Sequence, residues 1–190
     1  MRGKWGSVRS DATETAVADE PAATANDGGG FVSQVAWLDT PPDCLVICCS
    51  DHRFEQQTRD LVRQLGFKQP HVVQLPSGAT MTLPLVSAFG FMSKAVDKIV
   101  EGVVDMKHLD VVLCVGHSEC GAYKAAKHPL IGTALKFYGK TVVELQHSHL
   151  AQAAKRMRHV LRGVTVRAFF ADVISEGGVK KVKFEEVKAG

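Results

Sequence analysis

The amino-acid sequence predicts an α/β fold, in which a mainly parallel β-sheet is flanked by helices in three layers and ends in an antiparallel C-terminal edge strand. The first observation is that short, β-branched apolar runs alternate with stretches of helical hydrophobic spacing from Phe31 onward. The second is that two further apolar runs flank Glu176-Gly177-Gly178, as the strands of a hairpin would. We therefore expect parallel strands that are joined by helices and closed by a hairpin.

The first half of the chain contains two predicted strands and two predicted helices. Residues 45–48 predict a central strand, and residues 71–75 predict the second one. Between them the apolar residues 54–65 keep helical spacing, and Gly66 is placed to end that helix. A longer helix follows, and its spacing predicts an apolar face made of Met92, Ala95, Val96, Ile99 and Val103.

The second half begins with the most apolar strand, predicted at residues 109–115. Thr141 and Glu144 have the spacing of a capping box, which marks the start of another helix, and Gly163 is placed to end it. Residues 166–174 and 182–187 supply the strands of the closing hairpin. The helix that starts at this capping box is predicted to bury Leu150, Ala153, Ala154, Met157 and Leu161.

Composition limits the domain count and the class of partner. A chain of 190 residues with 45% hydrophobic content can bury one core, so we expect a single domain at residues 31–190. Residues 1–30 are rich in small and charged residues and are predicted to form a disordered tail. A net charge of +3, spread over mixed signs, argues against nucleic acid and membrane surfaces as partners.

The five cysteines indicate a reducing compartment, and we expect a cytoplasmic protein. Their number is odd, and four of them lie in or at the ends of predicted strands, where a secreted disulfide framework would not place them. We expect Cys44, Cys48 and Cys114 to be buried as small hydrophobic residues. His52 is expected to face solvent.

Two short blocks carry the chemistry of this sequence. Cys49-Ser50-Asp51-His52-Arg53 follows the first predicted strand, and Gly116-His117-Ser118-Glu119-Cys120-Gly121 follows the third. In open α/β sheets, ligands bind beyond the carboxyl ends of the strands. If the first and third strands are neighbours, Cys49, His117 and Cys120 meet there and can bind zinc with an open fourth position. The competing interpretation is a pair of buried thiols and a core imidazole.

Asp51 and Arg53 stand beside the predicted zinc ligands. Asp51 can accept a hydrogen bond from a zinc-bound water, whose pKa zinc lowers from about 15.7 towards neutrality, or it can occupy the open position itself. Arg53 can hold the Asp51 carboxylate ionised through a charge-assisted pair. The competing interpretation is a helix-capping aspartate with a surface salt bridge.

The pattern Cys-x-Asp-x-Arg followed by Gly-His-x-x-Cys-Gly resembles the β-class carbonic anhydrases, zinc enzymes that interconvert carbon dioxide and bicarbonate. The resemblance implies a compact, divergent member in which Cys49, His117 and Cys120 bind Zn²⁺. It also implies that Asp51 and Arg53 form a catalytic dyad that assists a zinc-bound hydroxide in hydrating carbon dioxide. A homodimer or higher homo-oligomer is implied as well, and residues 130–137 are a candidate subunit contact.

The sequence departs from that family after the second strand. Family members typically carry Arg-Asn-Ala-Gly at the wall of the active site, whereas this chain has Leu75-Pro76-Ser77-Gly78. Because a cationic group and an amide are missing, the wall is more apolar, and two alternatives stay open. One is hydrolysis of carbonyl sulfide or carbon disulfide at the same zinc site. The other is a catalytically silent, zinc-stabilised regulatory module.

Overall fold

The structure is a computed structural model that describes residues 33–84, 90–124 and 141–188. The chain divides into two compact units, Met1–Leu38 and Asp39–Gly190. Every helix and strand of the described residues lies in the second unit. The tail predicted at residues 1–30 and the contact predicted at residues 130–137 both lie outside the described residues.

One five-stranded sheet has the order β2-β1-β3-β4-β5. The first four strands in the chain run parallel, and β5 pairs antiparallel with β4, so the predicted fold class is confirmed. The prediction that the first and third strands are neighbours is also confirmed, since β1 pairs with β3 through Ile47 and Cys114. The five strands are β1 (Cys44–Cys49), β2 (Pro70–Leu75), β3 (Val111–His117), β4 (Thr165–Glu176) and β5 (Val179–Glu186).

Helices cover both faces of this sheet. On one face, Leu61 and Val62 of the first long helix pack against Val46 and Leu113. The opposite face carries the second and the last helix in a separate core cluster with Leu45 and Ile47, which makes the predicted three layers. The helices are α1 (Glu55–Gln64), α2 (Gly90–Lys107), α3 (Gly121–Lys124) and α4 (Val142–Val160), and 3-10 turns lie at His52–Phe54 and Gly78–Thr82.

The predicted ends of the elements follow from local hydrogen bonding. Gly66 has φ +93° and donates to the carbonyl of Arg63, while Phe67 donates to Val62, and these two bonds form the Schellman motif that ends α1. At the start of α4, Thr141 and Glu144 bond each other's backbone N–H groups, which confirms the capping box. The face predicted for α4 is buried throughout.

The apolar face predicted for α2 is wrong in part. Val96 is buried, but Ala95 lies at the surface and Ile99 is 57% exposed. The buried stripe instead contains polar side chains, Asp97 among them, because Arg156 of α4 pairs with the Asp97 carboxylate. A pattern of hydrophobic residues could not anticipate a core-facing position that depends on an ion pair.

Candidate metal centre

The three predicted zinc ligands lie together where β1 and β3 end. Cys49 is the last residue of β1, His117 is the last residue of β3, and Cys120 follows in the next turn. Their donor atoms all lie within 4.8 Å of one another. His117 is 4% exposed and Cys120 is 3% exposed, while Cys49 is half-buried. Parallel pairing of neighbouring strands therefore builds the cluster from segments far apart in the chain.

The spacing of the donor atoms fits a tetrahedral zinc ion. The Sγ atoms of Cys49 and Cys120 are 3.8 Å apart, and two sulfurs each about 2.3 Å from a tetrahedral zinc are about 3.8 Å apart. A disulfide would require about 2.05 Å, so these thiols are free. The two sulfurs therefore have the separation that a shared ion needs.

The His117 ring presents one nitrogen to the cluster. Its Nδ1 lies 2.6 Å from the Ser118 carbonyl oxygen, which can only accept, so Nδ1 carries the proton. Its Nε2 is buried and has no hydrogen-bond partner among the described residues. The ring also packs against Phe54, with centroids 4.1 Å apart and the two ring planes tilted by 32°. This arrangement leaves the Nε2 lone pair available as a metal ligand.

The two cluster thiols are electrostatically linked. The hydrogen bond from the Cys120 thiol lowers the pKa of Cys49 to about 4, and the nearby His117 ring acts in the same direction. The same bond raises the pKa of Cys120 above its ordinary value. The cluster thus holds one thiolate at neutral pH, and binding an ion between the two sulfurs would release the second proton.

Asp51 and Arg53 form the predicted pair immediately beyond β1. The Arg53 Nη2 donates to Asp51 Oδ2 at 2.7 Å and Nε donates to Oδ1 at 2.9 Å. This fork lowers the pKa of Asp51 to about 2, so the carboxylate stays ionised at neutral pH. Asp51 also caps the 3-10 turn through the Arg53 backbone N–H, as the alternative interpretation expected. Among the described residues, Asp51 is outside the cluster of candidate metal donors.

The turn after β2 packs against the cluster with its backbone. Ser77 and Gly78 both have φ +60°, and a Cβ on Gly78 would lie 2.9 Å from the Val115 carbonyl oxygen and 3.1 Å from the Cys49 nitrogen. Ser77 is 5% exposed, and its Oγ has no hydrogen-bond partner among the described residues. The stretch contributes no charged side chain here, in agreement with the apolar wall that the sequence predicts.

Sequence reasoning missed three residues next to the cluster. Tyr123 and Leu145 pack with Cys120 in one apolar group, and Cys49 lies against it. The Tyr123 hydroxyl is 2.9 Å from His149 Nδ1, and burial raises the pKa of Tyr123 to about 12. Tyr123 follows Cys120 by three residues, which is one helical turn, and this spacing was the available signal. The third residue is Glu119, which contacts Arg53.

The remaining cysteines and His52 lie where the sequence predicts. Cys44 and Cys114 are fully buried, Cys48 is 5% exposed, and His52 is exposed. Burial raises the pKa of Cys48 to about 11, so this thiol stays protonated beside the Cys49 thiolate. Neighbouring strand residues point to opposite faces, which separates a core thiol from a cluster thiol at adjacent positions.

Comparison with known proteins shows similarity mainly at the level of structure. No family profile matches the sequence. Uncharacterized proteins of Rickettsia bellii and Rickettsia conorii are 32% and 31% identical over 81 residues, which is 42% of this chain. The matched stretch spans 48% and 42% of those relatives, less than half of their length.

Two solved structures align over most of the chain. A β-carbonic anhydrase of Aspergillus fumigatus aligns with a TM-score of 0.52 and 18% identity, covering 78% of this chain and 76% of that one. A carbonic anhydrase of Streptococcus mutans aligns with a TM-score of 0.50 and 11% identity, covering 81% and 87%. At these identities the likeness concerns the fold. The chain therefore has the fold of the β-carbonic anhydrases, the family that its two motifs resemble.

Proposed function

We propose that this chain catalyses the zinc-dependent, reversible hydration of carbon dioxide to bicarbonate. The observation that carries the proposal is the cluster of Cys49, His117 and Cys120, with the Asp51–Arg53 pair beside it at the carboxyl ends of β1 and β3. The fold supports it, because the aligned structures are carbonic anhydrases. Helices on both sides of the sheet hold the two loops that carry these residues.

The three cluster residues would hold the ion through two thiolates and one imidazole nitrogen. When bound, zinc would acidify a water molecule in the open position and so supply a nucleophile at neutral pH. The Ser118 carbonyl oxygen fixes the His117 tautomer by accepting a hydrogen bond from Nδ1–H, and Phe54 packs against the ring and limits its rotation. The lowered pKa of Cys49 favours ion binding, since a thiolate and not a thiol is the ligand.

Asp51 would orient the reacting molecule by hydrogen bonding. Because its pKa is about 2, its carboxylate accepts hydrogen bonds and donates none at neutral pH. It therefore favours a molecule that carries a hydrogen, such as water or bicarbonate, over an anion that has none. Arg53 keeps this carboxylate ionised and fixes its plane through two parallel bonds.

Stopped-flow measurement of carbon dioxide hydration by the zinc-loaded protein tests the proposal. Cys49→Ala should lose both zinc and activity, whereas Asp51→Asn should keep zinc and lose roughly 100-fold in kcat/KM. Cys48→Ala is the matched control, because it removes a neighbouring thiol that lies in the core and should leave the zinc content unchanged. A wild-type rate no higher than that of buffer between about pH 7 and 9 would reject the proposed function.

The turn at Ser77 and Gly78 motivates a second candidate activity at the same site. Its buried, uncharged character, together with Tyr123 and Leu145, suits an apolar substrate such as carbonyl sulfide or carbon disulfide. Sulfide release from either substrate, compared with the hydration rate on the same zinc-loaded sample, distinguishes the two activities. A silent regulatory module would bind zinc with neither activity, and Asp51→Asn would then change nothing.

We also propose a homodimer or higher homo-oligomer in the cytoplasm, on the strength of the family resemblance and the free thiols. No helix in the described parts of the chain combines the length and apolar character needed to cross a bilayer. Sedimentation velocity at several protein concentrations would test the oligomer, and a single monomeric species at all of them would contradict it.

A further inference from the structure

Glu119 lies in an uncommon backbone conformation between two candidate metal ligands. Its φ is +58°, in the left-handed region that non-glycine residues other than asparagine and aspartate enter uncommonly. The residue follows His117 and Ser118 and precedes Cys120, so its backbone belongs to the loop that carries two of the three donors. Backbone conformations of this kind cost free energy and persist only where contacts with the surrounding structure hold them in place. They cluster at functional sites.

This conformation directs two groups of Glu119 towards the guanidinium of Arg53. The Glu119 carbonyl oxygen accepts from Arg53 Nη2 at 3.5 Å, and its carboxylate Oε2 lies 3.6 Å from Nη1. Asp51 uses Nε and Nη2 of the same guanidinium, so the Glu119 carboxylate faces the remaining nitrogen, Nη1, while the Glu119 carbonyl shares Nη2 with Asp51. Lys124 Nζ, at 3.8 Å, also faces the Glu119 carboxylate. The Arg53 side chain therefore joins the loop after β1 to the loop after β3.

We propose that Glu119 is a positioning residue that holds Arg53, and through it Asp51, at a fixed position relative to the three candidate metal donors. Asp51 and Arg53 are two residues apart on one loop, and Arg53 is 51% exposed, so their mutual bonds do not fix the pair against the rest of the site. The Glu119 contacts anchor it to the segment that carries His117 and Cys120. The contact is a property of the chain, whereas its consequence for catalysis depends on the proposed function.

Glu119→Gln and Glu119→Asn test this role on the full chain as purified. Glutamine removes the charge of residue 119 and keeps the shape of the side chain. Asparagine removes the charge and also shortens the side chain, and it tolerates the left-handed backbone conformation. We therefore expect both variants to fold. Glu176→Gln is the matched control, because Glu176 pairs with Lys181 at 2.7 Å in the β4–β5 hairpin. It makes the same charge change away from the site.

The direct measurement is the ¹H–¹⁵N heteronuclear NOE of the Arg53 Nε–Hε group. We expect it to fall in both Glu119 variants and to stay at the wild-type value in Glu176→Gln. In the hydration assay we expect kcat/KM to fall about threefold to fivefold in the Glu119 variants, because exposed ion pairs are weak. This loss should shrink as salt is added, since salt screens exposed charges.

The two readouts separate failure of the inference from failure of the proposed function. An Arg53 NOE that is unchanged in both Glu119 variants overturns the proposal. A fall in the NOE with unchanged kcat/KM in an active protein also overturns it, because the contact would then position nothing that the reaction uses. If the wild type has no hydration activity, the proposed function fails, and the NOE alone still decides whether Glu119 anchors Arg53.

Discussion

The two nitrogens of the His117 ring have different roles, and this difference leaves one of them free to bind a metal ion. Nδ1 donates to the Ser118 carbonyl oxygen in the same loop, so the tautomer is set locally. Nε2 is buried without a partner among the described residues, which costs free energy unless a ligand or ion satisfies it. The protonation state and the orientation of the ring are therefore already those that metal binding requires.

Burial sorts the five cysteines into two chemical classes. Cys44, Cys48 and Cys114 have raised pKa values because burial disfavours their thiolates, so they remain inert thiols. Cys49 and Cys120 face each other at 3.8 Å, and a hydrogen bond between them stabilises one thiolate. We therefore expect alkylating reagents to react with the cluster thiols and not with the three buried ones.

Gly78→Ala tests the close approach of the turn to β1 and β3. Gly78 has φ +60°, and an alanine in this conformation costs about 1–2 kcal/mol. The alanine Cβ would also lie 2.9 Å from the Val115 carbonyl oxygen, which can move only together with the backbone of β3. We expect a loss of about 3 kcal/mol or more in the free energy of unfolding, measured by urea denaturation.

Gly66→Ala is the control, because Gly66 has φ +93° but nothing within 4 Å of the new Cβ. It should lose only the conformational part, about 1 kcal/mol. Equal losses in the two variants would show that the close approach at Gly78 does not contribute.

At the scale of the elements, an ion pair joins α2 to α4. Asp97 is 6% exposed on the core side of α2, and Arg156 of α4 donates to it through Nη2 and, at 3.4 Å, through Nε. These two helices cover the face of the sheet that also carries the turn after β2. The pair therefore contributes to the support beneath the candidate centre.

Asp97→Asn should destabilise the fold without touching the site. The change removes the counter-charge and one of the two acceptor oxygens of the partly buried Arg156 guanidinium, and we expect a loss of about 1–3 kcal/mol in the free energy of unfolding. Lys98→Ala is the control, since Lys98 is exposed and pairs with Glu101 on the surface. It should have no measurable effect, and an equally silent Asp97→Asn would contradict a structural role for the pair.

For the whole molecule, the candidate centre couples metal binding to global stability. Cys49 and Cys120 are 71 residues apart in the chain, and only the folded sheet brings their sulfurs together. An ion that binds the folded state and not the unfolded one stabilises the fold by about 2.7 kcal/mol at 100 times its Kd. The folded sheet and the ion therefore stabilise each other.

Removing zinc from the loaded protein with dipicolinate should lower Tm by several degrees. Differential scanning calorimetry before and after chelation measures the change, with bound zinc quantified in both samples. Cys49→Ala is the control, and its Tm should not respond to zinc or chelator because a ligand is missing. A zinc-loaded wild type whose Tm is unchanged on chelation would show that the ion does not bind between β1 and β3.

Local patterning was enough to predict the order of elements, the cluster residues and the parallel sheet. Strand alternation, the capping box at Thr141 and the glycine after α1 depend on neighbours within a few residues, so they are visible in sequence. The same holds for Cys49, His117 and Cys120, because each follows an apolar strand directly.

What only the tertiary structure decided depends on contacts between distant segments. The buried face of α2 was set by Arg156 of α4, and Glu119 joined the site through its contact with Arg53 in the loop after β1. Leu145 of α4 likewise packs against Cys120 from a distant segment of the chain. Side-chain ion pairs and packing of this kind have no sequence period, so no local pattern predicts them.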